Sequence, residues 1–169
     1  MKTIFSLVPV VGTMLALAGV TLGVSAQVRL TSTDDLTRQA DIVVVGKVAG
    51  IRAEWNKEKT RIFTTVTVEV GEMLKGKGGE STVTIQTPGG EVDGVGEVYS
   101  HTARFAKDED VVVFAEKDKS GNLRVAGGSE GKIAIRKDES TGRRRVADGI
   151  SIEEFKARVK NAVHVQETE

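Results

Sequence analysis

The chain has 169 residues, 24 basic and 24 acidic side chains, and no cysteine. That length supplies one domain able to bury roughly two-thirds of its unfolded surface, and the balanced charge argues against a nucleic-acid binder, whose phosphate contacts leave a basic excess. The lack of cysteine removes disulfides, thiolate zinc sites, cysteine nucleophiles and thiol redox chemistry together, and with them a cysteine-linked lipid anchor behind the leader.

The chain opens with Lys2 and an apolar run from Ile4 to Val24. Val24-Ser25-Ala26 then puts small residues where a signal peptidase reads them, which predicts cleavage between Ala26 and Gln27. The run is long enough to span a bilayer, but Pro9, Gly12 and Gly19 interrupt it and a single Lys flanks it. The expected product is an exported protein, periplasmic or extracellular, with no membrane attachment after processing. Residues 1–26 form the signal peptide, 27–165 a single β-rich domain and 166–169 a frayed tail.

Beyond the leader, Ser32 and Asp35 stand three apart ahead of Leu36 and Ala40, a capping-box spacing that predicts a short helix over 33–39. Ile42-Val43-Val44-Val45 is β-branched on both faces and predicts a strand covered on both sides. Strict alternation then places Val43, Val45, Ala49, Ile51, Ala53 and Trp55 on one face, with Lys47 as the exception. Gly46 and Gly50 fall on the other, where a coiled strand or bulge wants missing side chains. Asn56 to Arg61 reads as a hairpin loop. Val66, Val68 and Val70 then alternate with Thr65, Thr67 and Glu69, and Val83 and Ile85 repeat the pattern between Thr82 and Thr87.

From Thr87 to Lys107 alternation fails, and glycines at 89, 90, 94 and 96 free the backbone, so residues 88–104 are expected to form a long loop over one barrel end, anchored by Phe105. Val111 to Phe114 is a second doubly apolar strand. Strands at Leu123–Ala126, around Ile133 and Ile135, and at Arg143–Ala147 follow, separated by turns at Asp118–Asn122 and Ser140–Gly142. Ser151 and Glu154 cap a closing helix whose stripe is Ile152, Phe155, Val159 and Val163. The fold class is therefore mainly β: a small antiparallel, OB-like, partly open barrel (or sandwich) with a short N-terminal helix and a C-terminal amphipathic helix.

The series Ala40-Asp41-Ile42-Val43-Val44, Gly46-Lys47-Val48, Thr65-Val66-Thr67-Val68, Leu74-Lys75-Gly76, Pro88-Gly89-Gly90, Phe105, Val112-Val113-Phe114 and Gly131-Lys132 resembles an uncharacterised family of exported bacterial β-domains often associated with matrixin-like metalloproteases. More distantly it is similar to netrin and TIMP-like OB barrels. The resemblance spans about residues 36–136 and implies the fold, the exported location and a metalloprotease or envelope component as partner. It carries no catalytic residue to transfer. TIMP-like inhibition uses an N-terminal cysteine at the zinc; Gln27 stands there instead, so an inhibitor or accessory role would have to act through loops.

No residue pattern assigns catalysis, a cofactor or a metal. Gly94-Val95-Gly96 lacks the third glycine and the following helix of a dinucleotide loop. Glu91, Asp93 and Glu97 supply too few oxygens, at the wrong spacing, for an EF-hand. His101 and His164 share no ligand spacing, and no G-x-S-x-G elbow exists, which leaves only a hydrolase whose site is assembled from distant residues. Arg143-Arg144-Arg145 is flanked by Asp138, Glu139 and Asp148 and reads as a solvated hairpin. The expected function is non-catalytic binding of a protein or envelope partner through loops. Trp55, Tyr99 and His101 are the candidate contacts, with core cover the competing role for Trp55.

Overall fold

The computed structural model describes residues 31–146 and 149–168; the leader and its cleavage site at Ala26 and Gln27 lie outside them. In chain order the elements are α1 (Thr33–Gln39), β1 (Ile42–Trp55), β2 (Ile62–Lys75), β3 (Thr82–Pro88), β4 (Gly90–Val92), β5 (Val95–Glu97), β6 (Asp110–Lys117), β7 (Leu123–Val125), a 3-10 turn (Gly128–Gly131), β8 (Lys132–Ala134), β9 (Arg136–Lys137), β10 (Arg144–Arg145) and α2 (Ile152–Thr168).

Five strands close into a barrel in the order β1-β2-β3-β7-β6 and back to β1, the OB-like arrangement. The barrel is closed where the sequence implied a partial opening. β6 pairs with β1 from Ile42 to Lys47, and the single parallel pair Ile85↔Leu123 joins β3 to β7. β8 shares the β7 edge of β6, pairing with Val111–Val113, and β9 and β10 form a separate two-stranded ribbon.

The two doubly apolar strands explain the layering. Val44, Val48, Val66, Val68, Val83, Ile85, Val111 and Val113 fill the barrel. Val43, Val45, Val112 and Phe114 point out through the same wall and are covered by Leu36 of α1 and by Ile152, Phe155 and Val159 of α2. The Phe114 and Phe155 rings meet edge to face at 6.3 Å. Both helices start as their caps dictate. Asp35 N–H donates to Ser32 Oγ at 3.1 Å, and Glu154 N–H donates to Ser151 Oγ at 3.1 Å. α2 runs through Thr168, so residues 166–168, expected to fray, are helical. Lys75 at the end of β2 ties the helices together, its Nζ donating to Thr37 O of α1 and to Gln166 Oε1 of α2.

β1 departs from strict alternation. Its register with β2 shifts between Val43 and Val44, Val45 and Gly46, and Val48 and Gly50. The last shift leaves Ala49 unpaired and exposed, and it moves Ile51, Ala53 and Trp55 onto the face that pairs with Val66, Thr64 and Ile62. Val43 and Val45 therefore lie on the helix side and Ile51, Ala53 and Trp55 on the barrel side, not on one common face. Gly46 is required by proximity: a Cβ there would sit 2.2 Å from Glu69 O, whereas one at Gly50 would meet nothing closer than 4.0 Å.

Candidate functional site

The segment expected to be a featureless loop contains a hairpin. β4 and β5 pair Gly90↔Glu97, Glu91↔Gly96 and Val92↔Val95 around Asp93-Gly94, both left-handed at φ 51° and 79°. An Asp-Gly pair between two valines is a strong short hairpin signal, and it is present in the sequence; only the brevity of the strands concealed it.

Two anchors lay the hairpin against the barrel. Glu97 Oε2 accepts the N–H of fully buried Ile62 at 3.1 Å, and Gly89 N–H donates to Ile62 O at 2.8 Å. Glycine is needed where the chain crosses β1 and β2, since a Cβ at Gly90 would stand 2.5 Å from Thr64 Oγ1 and 2.8 Å from Ala53 Cβ. Tyr99 folds back beside this contact, its hydroxyl donating to Glu97 Oε2 at 3.1 Å. Ala103 is buried in the barrel core, with Phe105 packed partly against it, so the returning anchor is shared between them.

The hairpin and the returning chain enclose a hollow of about 410 Å³ at the barrel end. Ile51 and Val66 line its floor, Val98, Tyr99 and Phe105 its sides, and Glu91, Glu97 and Arg104 its polar edge. Ile51, Val98 and Tyr99 are exposed here, Val98 to 78%. A larger groove of about 550 Å³ runs between α1 and α2. It is lined mainly by polar side chains, and its two arginines are ion-paired, Arg38 with Asp35 and Arg158 with Glu154. Val165 is its one large exposed apolar residue, so the barrel-end hollow is the better candidate.

Of the three sequence candidates, only Tyr99 lines the hollow. Trp55 is half-buried at the tip of β1 opposite Ile62. His101 turns away: in a left-handed conformation (φ 60°), its carbonyl accepts Ser129 N–H at 2.7 Å and pins the chain to the 3-10 turn. Next to it, hydrogen bonding from Thr31 holds the Glu130 carboxyl below its usual range, with a smaller contribution from His101. Val98, Arg104 and Ile51 escaped sequence reasoning, because an isolated exposed Val or Ile carries no signal until folding gathers it with others. Glu91, Asp93 and Glu97 do not converge, and among the described residues no three His, Asp or Glu side chains are placed to hold a metal ion. Among the described residues no helix is long and apolar enough to cross a membrane.

No family model matches the chain, and no curated protein matches its sequence. The resemblance to exported, metalloprotease-associated domains therefore rests on the short motifs that carry it.

Proposed function

We propose that the chain is an exported β-barrel domain that binds a protein or envelope partner, without catalysis, through the hollow and hairpin at one end of its barrel. The observation that carries this reading is the gathering of Ile51, Val98 and Tyr99, three of the five large apolar side chains exposed among the described residues, around one concave surface. Exposed apolar side chains are common singly, whereas contiguous ones mark interaction sites. Tyr99 adds a rigid, amphipathic ring of the kind interfaces favour, and a closed barrel is the sort of stiff scaffold on which loops carry binding groups. Arg104 at the edge offers a fork for a partner carboxylate.

The test is site-specific photocrosslinking in the intact envelope of the producing cell. A crosslinkable residue at Val98 is expected to give one discrete adduct, abolished by Tyr99→Ala with Arg104→Ala, while the same group at Val165 gives none. Adducts from Val165 alone, or none from Val98, would move the binding surface away from the hairpin.

A further inference from the structure

The distal arm of β1 is an open sheet edge. β6 pairs with β1 only as far as Lys47, and the last backbone bonds on that side are Val48 N–H to Glu109 O and Asp108 N–H to Val48 O. From Ala49 to Trp55 the strand is paired with β2 alone among the described residues. The direction of its free groups follows from the ladder. Asn56 N–H donates to Arg61 O, and the N–H and C=O of Ile62, opposite Trp55, are taken by Glu97 and Gly89. Trp55, Ala53 and Ile51 therefore direct their backbone groups away from β2, to the side that β6 leaves unpaired beyond Lys47.

We propose that this edge pairs antiparallel with the same edge of a second copy of the chain, about a two-fold axis through Ala53. The segment reads Ile51-Arg52-Ala53-Glu54-Trp55, apolar, basic, small, acidic, apolar, and it is self-complementary in that register. Ala53 meets Ala53, Ile51 meets Trp55, and Arg52 meets Glu54 on both sides of the axis. Every outward N–H and C=O of Ile51, Ala53 and Trp55 then finds a partner. Moving the axis to Arg52 sets Arg52 against Arg52, and moving it to Glu54 sets Glu54 against Glu54, so charge selects the Ala53 register over these neighbours. Charges on an edge strand ordinarily repel another strand. Here the two charges are opposite, two residues apart and on one face, which turns the same device into a recognition code. Both are solvent-accessible in the single chain, with side-chain exposures of 82% and 54% at an Arg52–Glu54 separation of 3.7 Å, so little hydration is lost in exchanging that loose pair for two cross-strand ones. Neither residue lines the barrel-end hollow, although Ile51 does, so reversing these two charges tests the dimer without altering a lining residue of the partner site.

Sedimentation velocity on the processed chain, from about 1 to 500 μM, tests the proposal by charge reversal. The wild type is expected to dimerise reversibly. Arg52→Glu and Glu54→Arg each place like charges opposite one another and are expected to weaken dimerisation at least about tenfold. The double reversal restores it, because the pairs are re-formed with their signs exchanged. A second readout uses the absence of native cysteine. Ala53→Cys at the axis is expected to form an intermolecular disulfide under mild oxidation, since directly opposed residues lie about 5.5 Å apart in such a pair, while Ala49→Cys does not. A wild type that stays monomeric at 500 μM, a dimer indifferent to the single reversals, or a double reversal that fails to rescue would each overturn the proposal.

Discussion

Gly46 shows how one missing side chain sets the shape of the barrel wall. Its α-carbon lies so near the Glu69 carbonyl of β2 that a methyl group would stand 2.2 Å from that oxygen and 2.8 Å from Val68 Cγ1. Gly46→Ala must push apart two hydrogen-bonded strands and is expected to cost at least about 1–3 kcal/mol. Gly50→Ala, four residues on, meets nothing closer than 4.0 Å and is expected to change stability by less than about 0.5 kcal/mol. Urea unfolding of the two variants checks the contrast. Along β2 the same logic separates neighbours. Val68 is fully buried in the barrel, while Thr67 is half-exposed on the other face. Val68→Asp buries an unpaired carboxylate and should cost more than about 4 kcal/mol, whereas Thr67→Asp should cost about 1 kcal/mol or less. Equal losses for both would mean that Thr67 is as enclosed as Val68.

The way elements are fastened to one another is visible in two carboxylates. Glu72 on β2 accepts from Lys156 and Lys160 of α2, each at 2.8 Å, and the Lys156 contact, then Lys160, holds its carboxyl below the usual glutamate range. A depressed folded-state value means that the contribution is fully present above the unfolded value of about 4.3 and is lost as pH falls through the folded one. Thermal melts of wild type and Glu72→Gln should therefore differ at neutral pH, and the gap should shrink as pH falls below the unfolded value and close below the depressed folded one. A gap that persists at low pH would show that Glu72 acts through packing. Glu97 fastens the β4–β5 hairpin through the buried N–H of Ile62. Glu97→Ala leaves that donor unsatisfied and should cost about 1–3 kcal/mol, while Glu97→Gln keeps an acceptor and should be milder. Amide exchange at Ile62 should accelerate in the first variant and much less in the second. The hairpin is thus a connection first, and its fixed position is what makes Val98 and Tyr99 a surface.

At the scale of the whole molecule, the leader and the barrel make separate claims. Cleavage after Ala26 predicts that the intact mass of the exported protein lacks residues 1–26, with loss of ammonia where Gln27 cyclises; a full-length species in the membrane fraction would overturn the exported-domain reading. The sequence by itself determined the longer elements: α1, β1, β2 and the start of α2 follow from caps and from periods of 2 and 3.6, which are local properties of consecutive residues, whereas the short β4 and β5 did not show. It also determined which strands are covered twice, because Val43–Val45 and Val111–Phe114 leave no polar face to offer water. Tertiary structure alone decided closure of the barrel, which depends on the long-range Ile42–Lys47 and Ile85↔Leu123 pairings. It alone decided the faces of β1, because the unpaired Ala49 reverses the parity of every residue after it and a bulge carries almost no sequence mark. The candidate site belongs to the same class. Ile51 lies on β1 and Val98, Tyr99 and Arg104 on the returning chain; Tyr99 alone stands out in the sequence, and the other three are unremarked where they stand. They become a site only because Gly89 and Gly90 let the hairpin turn back across β1 and Glu97 holds it there.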